Sequence, residues 1–479
     1  MNLKKLNIIL GVIIVIGLTI IGLKTYKIYP FNEAKTAEIV DEKSPTKVAT
    51  KKSFETYIEK GNEYFDRNYY QLALNEYIKA NKDSPSSIEP FLKIGQVHLK
   101  LKNNGKARSN FNSALEIDST NLEARIGLAK SYIAERDMEE AKKILEPLNQ
   151  EDANLRYYQG ILYAYFKDYD KSKEDFIQAL AFNPNEDLRN KIGKFNSAYE
   201  EFSKNNGGLT IHIQTLLAKA LTEVDEQQIA IPILNEVLKE KSNYIDAWTV
   251  LGYAYLKEEK YQDAVDALEE SKKLSPEDGE NTFFLGLAYY YKGNYEEALK
   301  NLEAAINNGY EPQTLVRQKM AEIYVLQGEY DKGAKAYEDL VSVYDKNINL
   351  FIKPVWLYID KTNEPQKALA LASIAVAKHP DDAMAHNLLG WAQMANNNYS
   401  EAKVELLASI KLDNQIDAAY YNLGLLYEQK QQPDIAIKLY QKAAQIRKDT
   451  NITQLATVRY QALNKAQQQS YQANITTSL

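Results

Sequence analysis

From Ile245 to Asp278 apolar and polar positions follow one another with a helical period: IDAWTVLGYAYLKEEKYQDAVDALEESKKLSPED. The pattern predicts two short amphipathic helices joined by a tight turn. The first carries Trp248, Leu251, Gly252 and Tyr255; the second carries Ala264, Leu268 and Ser271, and Pro276 stops it. The arrangement recurs along the chain. With Gly252 as the eighth residue of its unit, the equivalents are Gly61, Gly95, Ala129, Gly160, Ala218, Gly286, Ala321, Trp356, Gly390 and Gly424, all Gly or Ala except Trp356. Twelve residues further on come Ala73, Ala107, Ala141, Ser172, Ala230, Ala264, Ala298, Gly333, Ala368, Ala402 and Ala436, every one small. Small residues in both columns let two helices cross without a bulky side chain between them.

Trp248, Leu251, Gly252, Tyr255, Ala264 and Pro276 resemble the tetratricopeptide repeat pattern W-x2-L-G-x2-Y … A-x3-F … P, with Leu268 where an aromatic residue usually sits. The resemblance implies a helix-turn-helix hairpin that cannot bury its apolar face alone. Copies must therefore stack, giving an all-α solenoid, a right-handed superhelix of hairpins.

The chain opens with a short basic segment, residues 1–5, followed by Leu6 to Leu23, 18 residues without a charge. As a helix this run would be about 27 Å long, close to the hydrocarbon thickness of a bilayer. A cleaved signal peptide shares the basic start and apolar core. The run is longer than a usual signal core, however, and no small-x-small site follows it, so an uncleaved single-pass anchor is expected, with the repeats outside the cytoplasm. Residues 24–53 read as a flexible tether of mixed charge. Residues 54–186 form a first array of four repeats, and 211–448 a second array of seven.

Between the arrays, residues 187–210 hold an extra helix whose apolar stripe is Leu188, Ile192, Phe195, Tyr199 and Phe202. Asn205-Asn206-Gly207-Gly208 stops it. It is either a helix inserted into one superhelix or a cap followed by a hinge at 205–208, and the hinge is preferred. Pro354, early in a first helix, is expected to shorten or kink it. Residues 449–479 read as a capping helix and tail.

Many of the 35 tyrosines fall on packing positions of the repeat, so most of the tyrosine excess is structural. A net charge of −7 with no long basic run argues against nucleic acid as the main partner. The absence of cysteine excludes disulfides, thiolate metal sites and cysteine catalysis. His98, His212, His379 and His386 are scattered without metal-ligand spacing, and no phosphate-binding loop is present. The repeats use up almost everything from Phe54 to Lys448, leaving no catalytic domain. No enzymatic activity, metal or cofactor is expected.

The family resemblance implies that first helices line a concave groove, with repeat positions 2, 5, 9, 12 and 13 facing it. These are Tyr157, Ile161 and Tyr165 in the first array. In the second they are Tyr253, Phe283, Leu287, Tyr290 and Tyr291, then Met384, Asn387, Trp391, Met394, Tyr421 and Leu425. Clustered aromatic residues with Met suit an apolar segment of a protein or peptide partner. Some of these side chains equally suit packing between neighbouring first helices. The carboxylate clamp of some family members needs Lys at the fifth position and Asn at the ninth. Asn62 and Lys353 each supply one half, and no repeat has both. The function expected is a membrane-tethered scaffold that binds proteins in its groove. The alternatives are a structural component of an envelope or secretion machine, or a regulatory subunit of a separate enzyme.

Overall fold

The structure, a computed structural model, describes residues 47–204, 209–447 and 450–477. Among them are 24 α-helices and no strand. The described residues divide into two compact units, one ending at Asn294 and the other beginning at Tyr295. In the first, the described helices are α1 (Lys47–Asp66), α2 (Tyr70–Asp83), α3 (Ile88–Lys100), α4 (Asn104–Ile117), α5 (Leu122–Ala134), α6 (Met138–Leu145), α7 (Ala153–Tyr165), α8 (Tyr169–Ala181), α9 (Glu186–Lys204), α10 (Thr210–Glu223), α11 (Gln227–Glu240), α12 (Ile245–Lys257), α13 (Tyr261–Leu274) and α14 (Gly279–Lys292). In the second they are α15 (Tyr295–Asn307), α16 (Gln313–Leu326), α17 (Tyr330–Val343), α18 (Asn349–Trp356), α19 (Pro365–Lys378), α20 (Ala383–Ala395), α21 (Tyr399–Leu412), α22 (Asp417–Gln429), α23 (Pro433–Ile446) and α24 (Asn451–Thr477). Each unit is a stack of antiparallel helix pairs.

The small columns explain why the hairpins close. A Cβ added at Gly252 would stand 2.3 Å from Leu268 Cγ, and one at Gly61 would stand 2.3 Å from the Tyr77 ring. At Gly95 the obstacle is Phe111 at 2.7 Å, at Gly390 Leu406 at 2.7 Å, and at Gly424 Tyr440 at 2.7 Å. The eighth residue of a repeat is thus the socket for its twenty-fourth. Phe111, Phe176, Leu268, Leu406 and Tyr440 are all buried in such sockets. Burying each is worth about 1.5–3 kcal/mol, and only while the socket stays empty of side-chain atoms. One repeat reverses the sizes, with Trp356 at the eighth position and Ala372 at the twenty-fourth, both buried in one cluster.

The turn between the paired helices has a constant geometry that the apolar pattern does not announce. Its fifteenth repeat residue is left-handed in all eleven repeats: Asn68, Lys102, Arg136, Lys167, Asp225, Glu259, Gly293, Gly328, Asn363, Asn397 and Gln431, with φ between 56° and 83°. Only two of these are glycine. An L-residue there costs about 1–2 kcal/mol, against about 0.5–1 kcal/mol of extra chain entropy lost by glycine. Glu259→Gly should therefore stabilise its hairpin by about 0.5 kcal/mol. A denaturant midpoint below wild type would contradict this.

Two expectations are corrected. No helix among the described residues is long and apolar enough to cross a membrane, which overturns the reading of a single-pass membrane protein with extracytoplasmic repeats. The run on which that reading rested, residues 6–23, lies outside the described residues. The tether expected over 24–53 ends sooner, because α1 already begins at Lys47. The hinge expected at 205–208 likewise lies outside the described residues; the core holds residues from both sides of it. One apolar cluster runs from Ala129 to Ala267 and includes Leu188, Ile192, Phe195 and Tyr199 of α9 with Ile211, Ile213 and Leu217 of α10. Lys194 on α9 also pairs with Glu223 on α10 at 2.9 Å. The two compact units divide between Asn294 and Tyr295.

Candidate functional site

In the second unit the first helices of successive repeats, α18, α20 and α22, bring together a cleft of about 810 Å³. Met384, Asn387, Trp391 and Met394 enter it from α20, and Tyr421 and Leu425 from α22. Their spacing of three and four residues puts them on one helical face. All six groove residues expected in these two repeats therefore share one concavity. Asn387 and Tyr421 lie at its floor, both more than nine-tenths buried, and the other four are half-buried. Asn422 donates to the Asn387 carbonyl at 2.9 Å, bridging neighbouring repeats below the cleft.

Two walls were not expected. One is the turn after α18. Pro354 stands inside that helix and cannot donate to a carbonyl one turn back. The α-helix ends at Trp356 and passes into a π-helical turn, Leu357–Lys361, closed by Thr362 N–H donating to Leu357 at 3.0 Å. This turn presents Ile359 and Asp360 to the cleft. The other wall is the C-terminal α24, which contributes Ile452, Leu455 and Arg459. Arg459 donates to Glu428 at 2.9 Å, and Tyr440 donates to the same carboxylate at 2.7 Å, which joins α24 to α22 and α23. Spacings of three and four from Ile452 through Leu455 to Arg459 were the available signal. Asp360 occupies the twelfth repeat position, one that the family pattern turns to the groove.

The remaining expected groove residues have other roles. Tyr157 and Ile161 are corrected: they are 2% and 0% exposed, and they are core. The reason is α9, whose Phe195 stacks on Phe176 with centroids 4.5 Å apart and meets Tyr157 edge-on at 6.0 Å. Burial pushes the Tyr157 hydroxyl far above its ordinary range. Tyr165 is half-buried against Phe166. Tyr253 stacks on Phe284 at 4.6 Å, and Phe283, itself buried, touches the same ring. Tyr291 stacks on Tyr261 at 5.4 Å and meets Tyr290 edge-on. Leu287 packs beside them. Here stacking between neighbouring helices claims the aromatic faces.

Both half-matches to the carboxylate clamp are engaged internally: Tyr77 donates to Asn62 at 2.8 Å, and Lys353 pairs with Glu322 and Tyr337, each at 3.0 Å. Among the described residues no cluster of three metal-ligating side chains exists. Asp382 caps α20, accepting from the amides of Met384 and Ala385. His386 lies between Glu405 at 2.7 Å and the Pro380 carbonyl at 2.8 Å. Two acceptors on one ring favour the imidazolium. Burial opposes that charge, but the bonds to Glu405 and Pro380 outweigh it and raise the pKa. The stabilisation is therefore complete below the unfolded value of about 6.5 and fades as pH rises through the raised folded value. His386→Gln should lose stability relative to wild type at pH 5.5 and approach it at pH 9. An equal deficit at both would contradict the pairing.

Family models described as tetratricopeptide repeat match residues 98–162, 245–278, 283–347, 360–415 and 417–450, and one described as TPR repeat matches 61–102. Together they cover well over half of the chain. The anaphase-promoting complex subunit CDC16 of Saccharomyces cerevisiae is 23% identical over 218 residues, 41% of this chain and 26% of that protein. The chain thus spans about a quarter of that relative's length. Among solved structures, the yeast Tom70 is 14% identical, with 88% of this chain and 97% of that one covered at a TM-score of 0.35. The APC/C hetero-tetramer Cut9-Hcn1 is also 14% identical, with 87% and 99% covered at a TM-score of 0.34. The matched repeats, in register with the observed hairpins, assign the fold: the chain belongs to the tetratricopeptide repeat family.

Proposed function

We propose that this protein is a binding scaffold that receives an apolar segment of a protein partner in the cleft between α18, α20, α22 and α24. The observation that carries this reading is the convergence of Met384, Trp391, Met394 and Leu425 on one concavity of about 810 Å³, within the range of ligand pockets. Met adapts to varied shapes, and Trp is enriched among the residues that dominate binding energy. Catalysis is no part of the proposal, and turnover by the purified repeats would overturn that point.

The test is a photo-crosslinking amino acid placed at Met394, compared with one at Val404, an exposed residue on α21 that is not part of the cleft. A discrete crosslinked product from Met394 alone is expected. Trp391→Ala combined with Leu425→Ala should weaken capture at least about 30-fold, the effect of losing a binding hot spot, while helicity by circular dichroism stays the same. Undiminished capture by this folded variant would overturn the proposal.

A further inference from the structure

We infer that the segment held in the cleft carries a lysine or arginine between its apolar anchors, and that Asp360 receives it; this rests on the binding role proposed above. The cleft is lined by three carboxylates, Asp360, Asp417 and Glu428, and two guanidiniums, Arg447 and Arg459, and so has an excess of one negative charge. Most of these groups are already engaged. Glu428 accepts from Arg459 and Tyr440. Asp417 accepts from the Thr450 hydroxyl at 3.1 Å and from the Ala418 amide at 3.0 Å. Asp360 has no ion pair among the described residues. Its sequence neighbour Lys361 places its ammonium over the rings of Tyr330 and Trp356, 5.3 and 5.5 Å from their centroids.

The position of Asp360 matters as much as its charge. It is open to solvent, and it shares the cleft with Ile352, Met384, Trp391 and Leu425. An incoming cation would meet its carboxylate in surroundings where a charge pair is worth more than on a flat surface. Part of the residue stays accessible, but the protein atoms crowded around this carboxyl desolvate it enough to push it up to about 6, against the opposing pull of Lys361. A bound cation restores what that desolvation removes. An acidic residue at the same place would be repelled, so the same group supplies attraction for one partner chemistry and rejection of its opposite.

A library of random 12-residue peptides displayed on phage, panned against the full chain, tests this directly. Clones that also bind the Trp391→Ala/Leu425→Ala variant are discarded, which leaves those that use the cleft. Lysine or arginine flanked by apolar residues should be enriched in the remainder. On Asp360→Lys protein the enrichment should change to aspartate or glutamate. A synthetic peptide of a selected sequence should bind Asp360→Asn at least about tenfold more weakly. Cleft-dependent clones without a basic residue, or the same basic enrichment on Asp360→Lys, overturn this inference and leave the binding role standing. Failure to recover any cleft-dependent clone overturns both.

Discussion

Truncating Phe195 to alanine should cost about 3–5 kcal/mol, the range for removing a fully buried aromatic side chain. The ring is 0% exposed and lies against both Phe176 and Tyr157, so its removal opens a cavity that α9, α8 and α7 border together. Neighbours relax only in part around such a gap. Amide hydrogen exchange monitored by mass spectrometry should show faster opening in α7 to α10. Exchange in α19 to α22, in the other compact unit, should remain unchanged. A loss confined to α9 would mean that this helix merely decorates the stack.

The second large effect is expected at Trp356, 3% exposed at the position where other repeats carry Gly or Ala. Trp356→Gly should destabilise the second unit by about 3–5 kcal/mol through the cavity, with about 1 kcal/mol more from glycine's poor helix propensity. In that background Ala372→Leu, which recreates the small-large order of Gly252 and Leu268, should recover at least about 1 kcal/mol. The same Ala372→Leu change in wild type should destabilise by overpacking. Opposite signs in the two backgrounds, read from urea denaturation by circular dichroism, would establish the exchange of sizes between the two columns. Equal signs would mean that Trp356 and Ala372 do not share a socket.

Much of the architecture was legible because one packing rule is written repeatedly. Helices begin at Ile88, Leu122, Ala153, Ile245, Gly279, Asn349, Ala383 and Asp417, where the small and large columns place the repeat starts, and one residue ahead of Ile211 and Thr314. That Met384, Asn387, Trp391 and Met394 share one helical face, as do Tyr421 and Leu425, was legible for the same reason, since helical register is periodic. Tyr157 and Ile161 were misplaced because periodicity reports which face a residue occupies and not what a later helix lays against it. Asp360 went unnoticed among residues of a turn whose helical period changes from α to π. Arg459 lies on a helix that is polar on most faces, and only its meeting with Glu428 identifies its working side.

The merged core around α9 has a consequence for how the first unit comes apart. A stack of repeats ordinarily behaves as a one-dimensional chain of elements coupled to nearest neighbours, and its ends can fray one hairpin at a time. Here, the apolar cluster around Ile58 and Tyr77 and the one around Leu92 and Phe111 each span little more than one interface, as such a chain requires. From Ala129 to Ala267, however, a single cluster joins residues of nine consecutive helices, α5 to α13. That stretch should therefore act as one cooperative foldon flanked by hairpins that open on their own. Partial unfolding would start from α1 and α2 and halt at α5, giving the unit an inner boundary of stability that its uniform repeat sequence conceals.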